Sequence, residues 1–304
     1  HTFNEPHRRH PVGESCHRIF CRLAEGEPPD FLQKAGEVDP EDVRQADQEG
    51  VALLLVVARP HRRVVEGMAL DEIRLGRQKR MIVIGAEDCN FESIVPFCGM
   101  RALSLDTNPD NASRSFDVTR NGFVGTGGSV CLILETEAEV QRRNAQSYAK
   151  FLGWGQGSDG HNVAISHPEG RGLKSAMSNA LRDSKMNPTD IDYVNAHAPS
   201  TSIGDASEMK ALKATFPLPQ EVLVSSTKPL TGHGLSLSSI MEAAFCCIGL
   251  KDQFLPGSAH ITQPDPELGH LKLVQESKDQ PVDRVMSNSS GFGGANVSVI
   301  FGKA

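Results

Sequence analysis

From residue 65 to the C-terminus, short apolar runs rich in β-branched residues alternate with stretches of helical period, and glycine-rich turns separate them. This alternation constrains the fold more than any other feature of the chain. Strand–helix–strand repeats bury both faces of their strands only in a layered α/β body with mainly parallel pairing. Residues 65–76 carry Met68, Ile73 and Leu75 at helical spacing, and residues 81–86 form a buried-strand run. Residues 129–134 alternate as a strand, 135–145 are polar and helix-forming, and 148–155 read as another strand. A loop over 158–170 precedes an amphipathic helix over 169–184, stopped by Asn187-Pro188. Strands follow at 192–196 and 222–226, with helices at 204–215 and 231–250. Residues 254–268 are extended and proline-marked, and strands at 285–288 and 297–301 close the chain.

Gly122-Phe-Val-Gly125 before an apolar strand resembles Gly291-Phe-Gly-Gly294 before residues 297–301, an echo expected of two halves of similar plan. Residues 1–64 differ, being rich in Arg, His, Pro and Glu. Only the run 51–58 is strongly apolar there, and a helix over 40–48 fits the pattern. The expected organisation is therefore a weakly patterned segment 1–64, a first α/β portion 65–145 and a second 146–304.

A net charge of −7 argues against wrapping nucleic acid, although a local basic patch for an acidic partner is compatible with it. No run approaches the roughly 18 apolar residues of a membrane span, and the start of the chain lacks a signal-peptide pattern. Seven scattered cysteines, two of them adjacent in an apolar helical stretch, point to reduced, mostly buried thiols and a cytoplasmic location. His7, His10, Cys16, His17 and Cys21 match no standard zinc spacing, so no metal is expected.

Two histidines stand where strand-like runs give way to helices: His197 in Asn195-Ala-His-Ala-Pro-Ser-Thr201, and His233 in Ser226-Thr-Lys-Pro-Leu-Thr-Gly-His233. Neutral imidazoles there are good donors to an oxygen that gains negative charge. With the turn Asn288-Ser-Ser-Gly-Phe-Gly-Gly-Ala-Asn296 they form one candidate site for carbonyl or enolate chemistry. That turn is no nucleotide fingerprint, since a strand and not a helix follows it.

These motifs, joined by Asn111-Ala-Ser-Arg-Ser-Phe-Asp117 and Asn121-Gly-Phe123, resemble the β-ketoacyl-[acyl-carrier-protein] synthases in order over residues 65–304. The resemblance implies a thiolase-like α/β/α/β/α fold whose first half is incomplete here, and a homodimer. It implies an acyltransferase performing decarboxylative condensation of malonyl carrier protein with an acyl thioester in fatty-acid or polyketide synthesis. His197 and His233 would donate to the malonyl thioester carbonyl, and Lys228 would pair with Glu208. Thr201 would meet the pantetheine arm and Phe292 would gate the acyl pocket, with Gly291 and Thr231 also on the substrate side. The partner would be acyl carrier protein, which brings its own phosphopantetheine, so the chain needs no cofactor.

The family's nucleophilic cysteine aligns with Arg59, and none of Cys16, Cys21, Cys89, Cys98, Cys131, Cys246 or Cys247 falls there. Three readings stay open: a damaged or out-of-frame upstream copy; a non-condensing relative, such as a chain-length-factor-like partner or malonyl decarboxylase; or a nucleophile supplied by residues 1–64. Pro199 replaces a threonine that donates to pantetheine, and Ser290 replaces a phenylalanine. Ala198 replaces a glycine and is expected to crowd any backbone needing positive φ.

Overall fold

The computed structural model describes residues 62–304. Helix α1 (Arg62–Arg74) leads to strand β1 (Arg80–Glu87), helix α2 (Phe91–Gly99) and one turn, α3 (Pro109–Ala112). Strand β2 (Gly128–Glu135) returns antiparallel to β1, followed by α4 (Glu137–Arg142). Next come β3 (Lys150–Ser158), α5 (Arg171–Ser184), β4 (Tyr193–Asn195), α6 (Ser202–Thr215) and β5 (Leu223–Ser225). A turn, α7 (Lys228–Thr231), precedes the long helix α8 (Ser238–Asp252). Short strands β6 (Phe254–Leu255), β7 (Lys272–Leu273) and β8 (Lys278–Asp279) lead to β9 (Arg284–Gly291) and β10 (Ala295–Gly302). The apolar run 51–58, the helix expected over 40–48, the His/Cys-rich start and the Arg59 elbow all lie outside the described residues.

Six strands form one sheet in the order β3-β10-β9-β4-β5-β7. Pairing is parallel through β9, β4, β5 and β7, but the long ladders of β3, β10 and β9 are antiparallel. The expectation of mainly parallel pairing is corrected to a mixed sheet. Its physical reason is the tight turn between β9 and β10, which can only join antiparallel neighbours.

On one face of this sheet lie α5 and α6. Leu173, Ala176, Met177, Ala180 and Leu181 make one buried stripe on α5. It packs with Met209 and Leu212 of α6 over Val194, Val224, Met286 and Ile300. Alternate glycines on β3 let α5 lie close: a Cβ on Gly155 would sit 2.3 Å from the Ala180 nitrogen. On the other face, Ala243, Cys246 and Leu250 of α8 cover Tyr193, Val285, Val297 and Val299. The far side of α8 places Ile240 against Ala69 of α1 and Val83 of β1. The described residues thus stack as helices, sheet, helices, sheet, which is four layers of a thiolase-like fold.

Three local expectations change. The buried side of α1 is formed by Glu66, Ala69 and Leu70, whereas Met68 and Leu75 are exposed. The helix expected from residue 231 starts at Ser238 instead, because Gly232 (φ +73°) and Leu235 (φ +45°) interrupt the helical path. Helix α2 has no counterpart among the expected elements; it holds Pro96 and buries none of its residues completely.

Candidate active site

Strand β4 ends two residues before His197, and α6 begins at Ser202 beyond it. His233 follows α7, where its backbone joins Gly125 in a parallel bridge, donating to the Val124 carbonyl at 2.7 Å. These two connections bring the rings together, with centroids 5.3 Å apart and planes at 82°. Aromatic contacts continue from there. His233 meets Phe123 at 5.0 Å, Phe123 meets Phe97 of α2 at 5.3 Å, and Phe97 stacks on Phe292 at 5.6 Å. The closing glycine turn therefore reaches the histidines through two phenylalanines. Phe123 was visible in a motif; Phe97 was not, because Pro96 and Gly99 disguise its helix.

His233 is a donor by elimination. The Leu235 N–H donates to its Nδ1 at 3.1 Å, so that nitrogen carries a lone pair and the proton sits on Nε2. Burial, with the Lys228 ammonium adding to it, pushes the pKa of His233 down to about 3. The ring is neutral at every physiological pH.

His197 is buried and held through its backbone. Glu208 accepts from the His197 N–H at 3.1 Å, the Ala198 N–H at 2.7 Å and Asn288 Nδ2 at 3.2 Å. Lys228 Nζ donates to the His197 carbonyl at 2.5 Å, while Ser115 and Ser226 donate to the Ala198 carbonyl. Lys228 and Glu242 form a contact ion pair with both side chains buried. The expected Lys228–Glu208 pair is therefore corrected. Glu242 of α8 neutralises the lysine, and Glu208 is turned to the 197–198 peptide by three N–H donors. Burial raises the pKa of Glu208, against the pull of those donors.

Thr201 is the N-cap of α6, its hydroxyl accepting from the Gly204 N–H at 3.2 Å. The half-buried Thr231 hydroxyl bonds the Thr227 and Gly232 carbonyls. Gly291 ends β9, and Phe292 stands 39% exposed beyond it. The turn needs glycine at Gly293 (φ +81°) and Gly294 (φ +73°). Asp159, absent from the sequence reading, anchors this turn: its N–H donates to the Gly294 carbonyl, and its carboxylate accepts from Asn296 and Gly172. The Ser290 hydroxyl bonds Asn296 Oδ1 at 2.7 Å. The strained position of the His197 loop is Ser200 (φ +75°) and not Ala198, so alanine at 198 meets no left-handed backbone.

Among the described residues none of the five cysteines is in a disulfide, and only Cys246 is fully buried, which corrects the expectation of mostly buried thiols. Burial pushes the Cys89, Cys131 and Cys247 thiols up, and Glu87 and Asp88 push Cys89 further. No helix among the described residues is long and apolar enough to cross a membrane.

Stacked sheets around central helices, with two imidazoles meeting at loop ends, define the thiolase-like class. Solved structures agree. A type II polyketide acyl-carrier protein in complex with its ketosynthase bound to the hexaketide (AntDE:AntF) superposes with TM-score 0.76 and 26% identity, over 79% of this chain and 60% of that one. A β-ketoacyl synthase from Burkholderia phymatum STM815 gives 0.73 and 32%, over 79% and 58%. Residues 64–140 match the family model "Beta-ketoacyl synthase, N-terminal domain", and 148–262 match "Beta-ketoacyl synthase, C-terminal domain". 3-Oxoacyl-[acyl-carrier-protein] synthase 1 of Buchnera aphidicola subsp. Acyrthosiphon pisum (strain APS) is 36% identical over 239 residues, as is synthase 2 of Staphylococcus aureus (strain COL). Each alignment covers 78% of this chain and 58% of the relative. The chain belongs to the β-ketoacyl synthase family.

Proposed function

We propose that the chain handles malonyl thioesters on acyl carrier protein, as an acyltransferase of the condensing type in fatty-acid or polyketide synthesis. The observation that carries this reading is the His197–His233 pair, one member of which is a neutral Nε2–H donor. The malonyl thioester oxygen accepts from the imidazoles. The bond to the malonyl carboxylate breaks, CO2 leaves, and its electron pair moves into an enolate whose charge on oxygen the donors stabilise. The enolate carbon then attacks an acyl thioester carbonyl, forming the new carbon–carbon bond and expelling thiolate. The Lys228–Glu242 pair contributes through position, since Lys228 holds the carbonyl of His197 itself.

The phosphopantetheine arm comes with the carrier, near Thr201 and Thr231, and the acyl chain passes Phe292. A homodimer, a cytoplasmic location and the division near residue 145 belong to the same reading. Similarity supports it: the solved relatives include a ketosynthase with its acyl-carrier protein and one with its chain length factor, the latter from Xenorhabdus doucetiae.

The alternative reading is CO2 release without condensation. Three described thiols have raised pKa values, the wrong direction for an acyl-accepting thiolate. Incubation with acyl and malonyl carrier proteins separates the two. Condensation product supports the synthase, and CO2 alone supports the decarboxylase. Neither product overturns both.

A further inference from the structure

Ser238 opens α8 with its side chain buried, and its hydroxyl lies 2.9 Å from His233 Nδ1. A serine at a helix start ordinarily caps from the N-cap position. Here the N-cap is Leu237, and the hydroxyl one residue inside is directed at the imidazole. Because the Leu235 N–H already donates to Nδ1, that nitrogen can only accept, so Ser238 must donate as well. Two donors converge on one lone pair. They draw electron density from the ring, hold the proton on Nε2 and make that N–H a stronger donor.

We propose that Ser238 is a positioning residue for His233, fixing the imidazole as an Nε2–H donor beside His197. The catalytic consequence rests on the function proposed above; the structural part does not. A purely structural role, satisfying a buried hydroxyl, would leave the imidazole electronically unchanged.

The test uses the full chain labelled with 15N-histidine, as wild type, Ser238→Ala, Ser238→Thr and Ser238→Cys. Long-range 1H–15N correlation should show His233 as the Nε2–H tautomer. In Ser238→Ala the Nδ1 resonance should move toward its unbonded position, and in Ser238→Thr it should return. In CO2 release from malonyl carrier protein, Ser238→Ala should lower kcat about three- to tenfold with KM unchanged, and Ser238→Thr should recover it. A folded Ser238→Ala protein with an unmoved Nδ1 resonance overturns the proposal. If that variant does not fold, Ser238→Cys, of similar size but a weaker donor, decides by the same resonance. A wild type that releases no CO2 overturns the function reading alone, since the Nδ1 shift still decides the role of Ser238.

Discussion

The sharpest perturbation is at the Lys228–Glu242 pair. Both side chains are buried, with relative exposures of 1% and 0%. At a contact of about 3 Å and an effective dielectric of about 20, their attraction is about 5–6 kcal/mol. Removing one partner strands the other charge, and such losses run at about 3–5 kcal/mol. Glu242→Gln should therefore lower stability by about that amount, and Tm by about 6–20 °C for a body of this size. Lys228→Met should cost a similar amount. The double variant Lys228→Met, Glu242→Leu should regain most of the loss, because no charge remains buried. It should still lose activity, since the Lys228 donor to the His197 carbonyl is gone. Denaturant unfolding of the wild type, Lys228→Met, Glu242→Leu and the double variant yields the coupling energy directly. If Glu242→Gln costs under about 1 kcal/mol, or Lys228 couples more strongly to Glu208→Gln than to Glu242→Gln, the assignment of the buried pair is wrong.

Three further outcomes follow from the geometry. His233 should show no protonation between pH 5 and 8 in an NMR titration, its pKa being held near 3; a midpoint near 6.5 would contradict its burial. Asp117, where backbone N–H bonds from Gln263, Thr119 and Thr262 outweigh burial, has a pKa lowered to about 2. Its folded pKa lies below the unfolded value, so its contribution is complete above about pH 4 and fades between pH 4 and 2. The loss should be about 2 kcal/mol in denaturant unfolding at pH 7 and pH 2, and Asp117→Asn should remove that limb. Gly155→Val should lower Tm by several degrees, since even a Cβ would press into the α5 backbone at 2.3 Å; an unchanged Tm would mean α5 does not lie against β3.

Much of this molecule is legible in one dimension. Helix α5 repeats its buried residues at three and four positions and ends where Asn187-Pro188 forbids continuation. Strands β1 and β10 carry apolar residues long enough to be unmistakable. Elements decided by context were harder. The start of α8 depends on positive φ angles at Gly232 and Leu235, and only the former is announced by its residue type. Helix α2 rests on Phe97 stacking against Phe292, a contact across 195 positions for which no local pattern stands.

The site divides the same way. Motif text alone was enough to single out His197, His233, Lys228 and the closing glycine turn, because each needs particular residue types at adjacent positions. Which carboxylate meets the lysine was beyond it. Glu208 and Glu242 both sit on helices near the site, and the choice between them turns on which helix face points inward. Sequence spacing reports distance along the chain, whereas a buried charge selects its partner by distance through space. Only the packed layers, α8 beneath the sheet and α6 above it, set that distance.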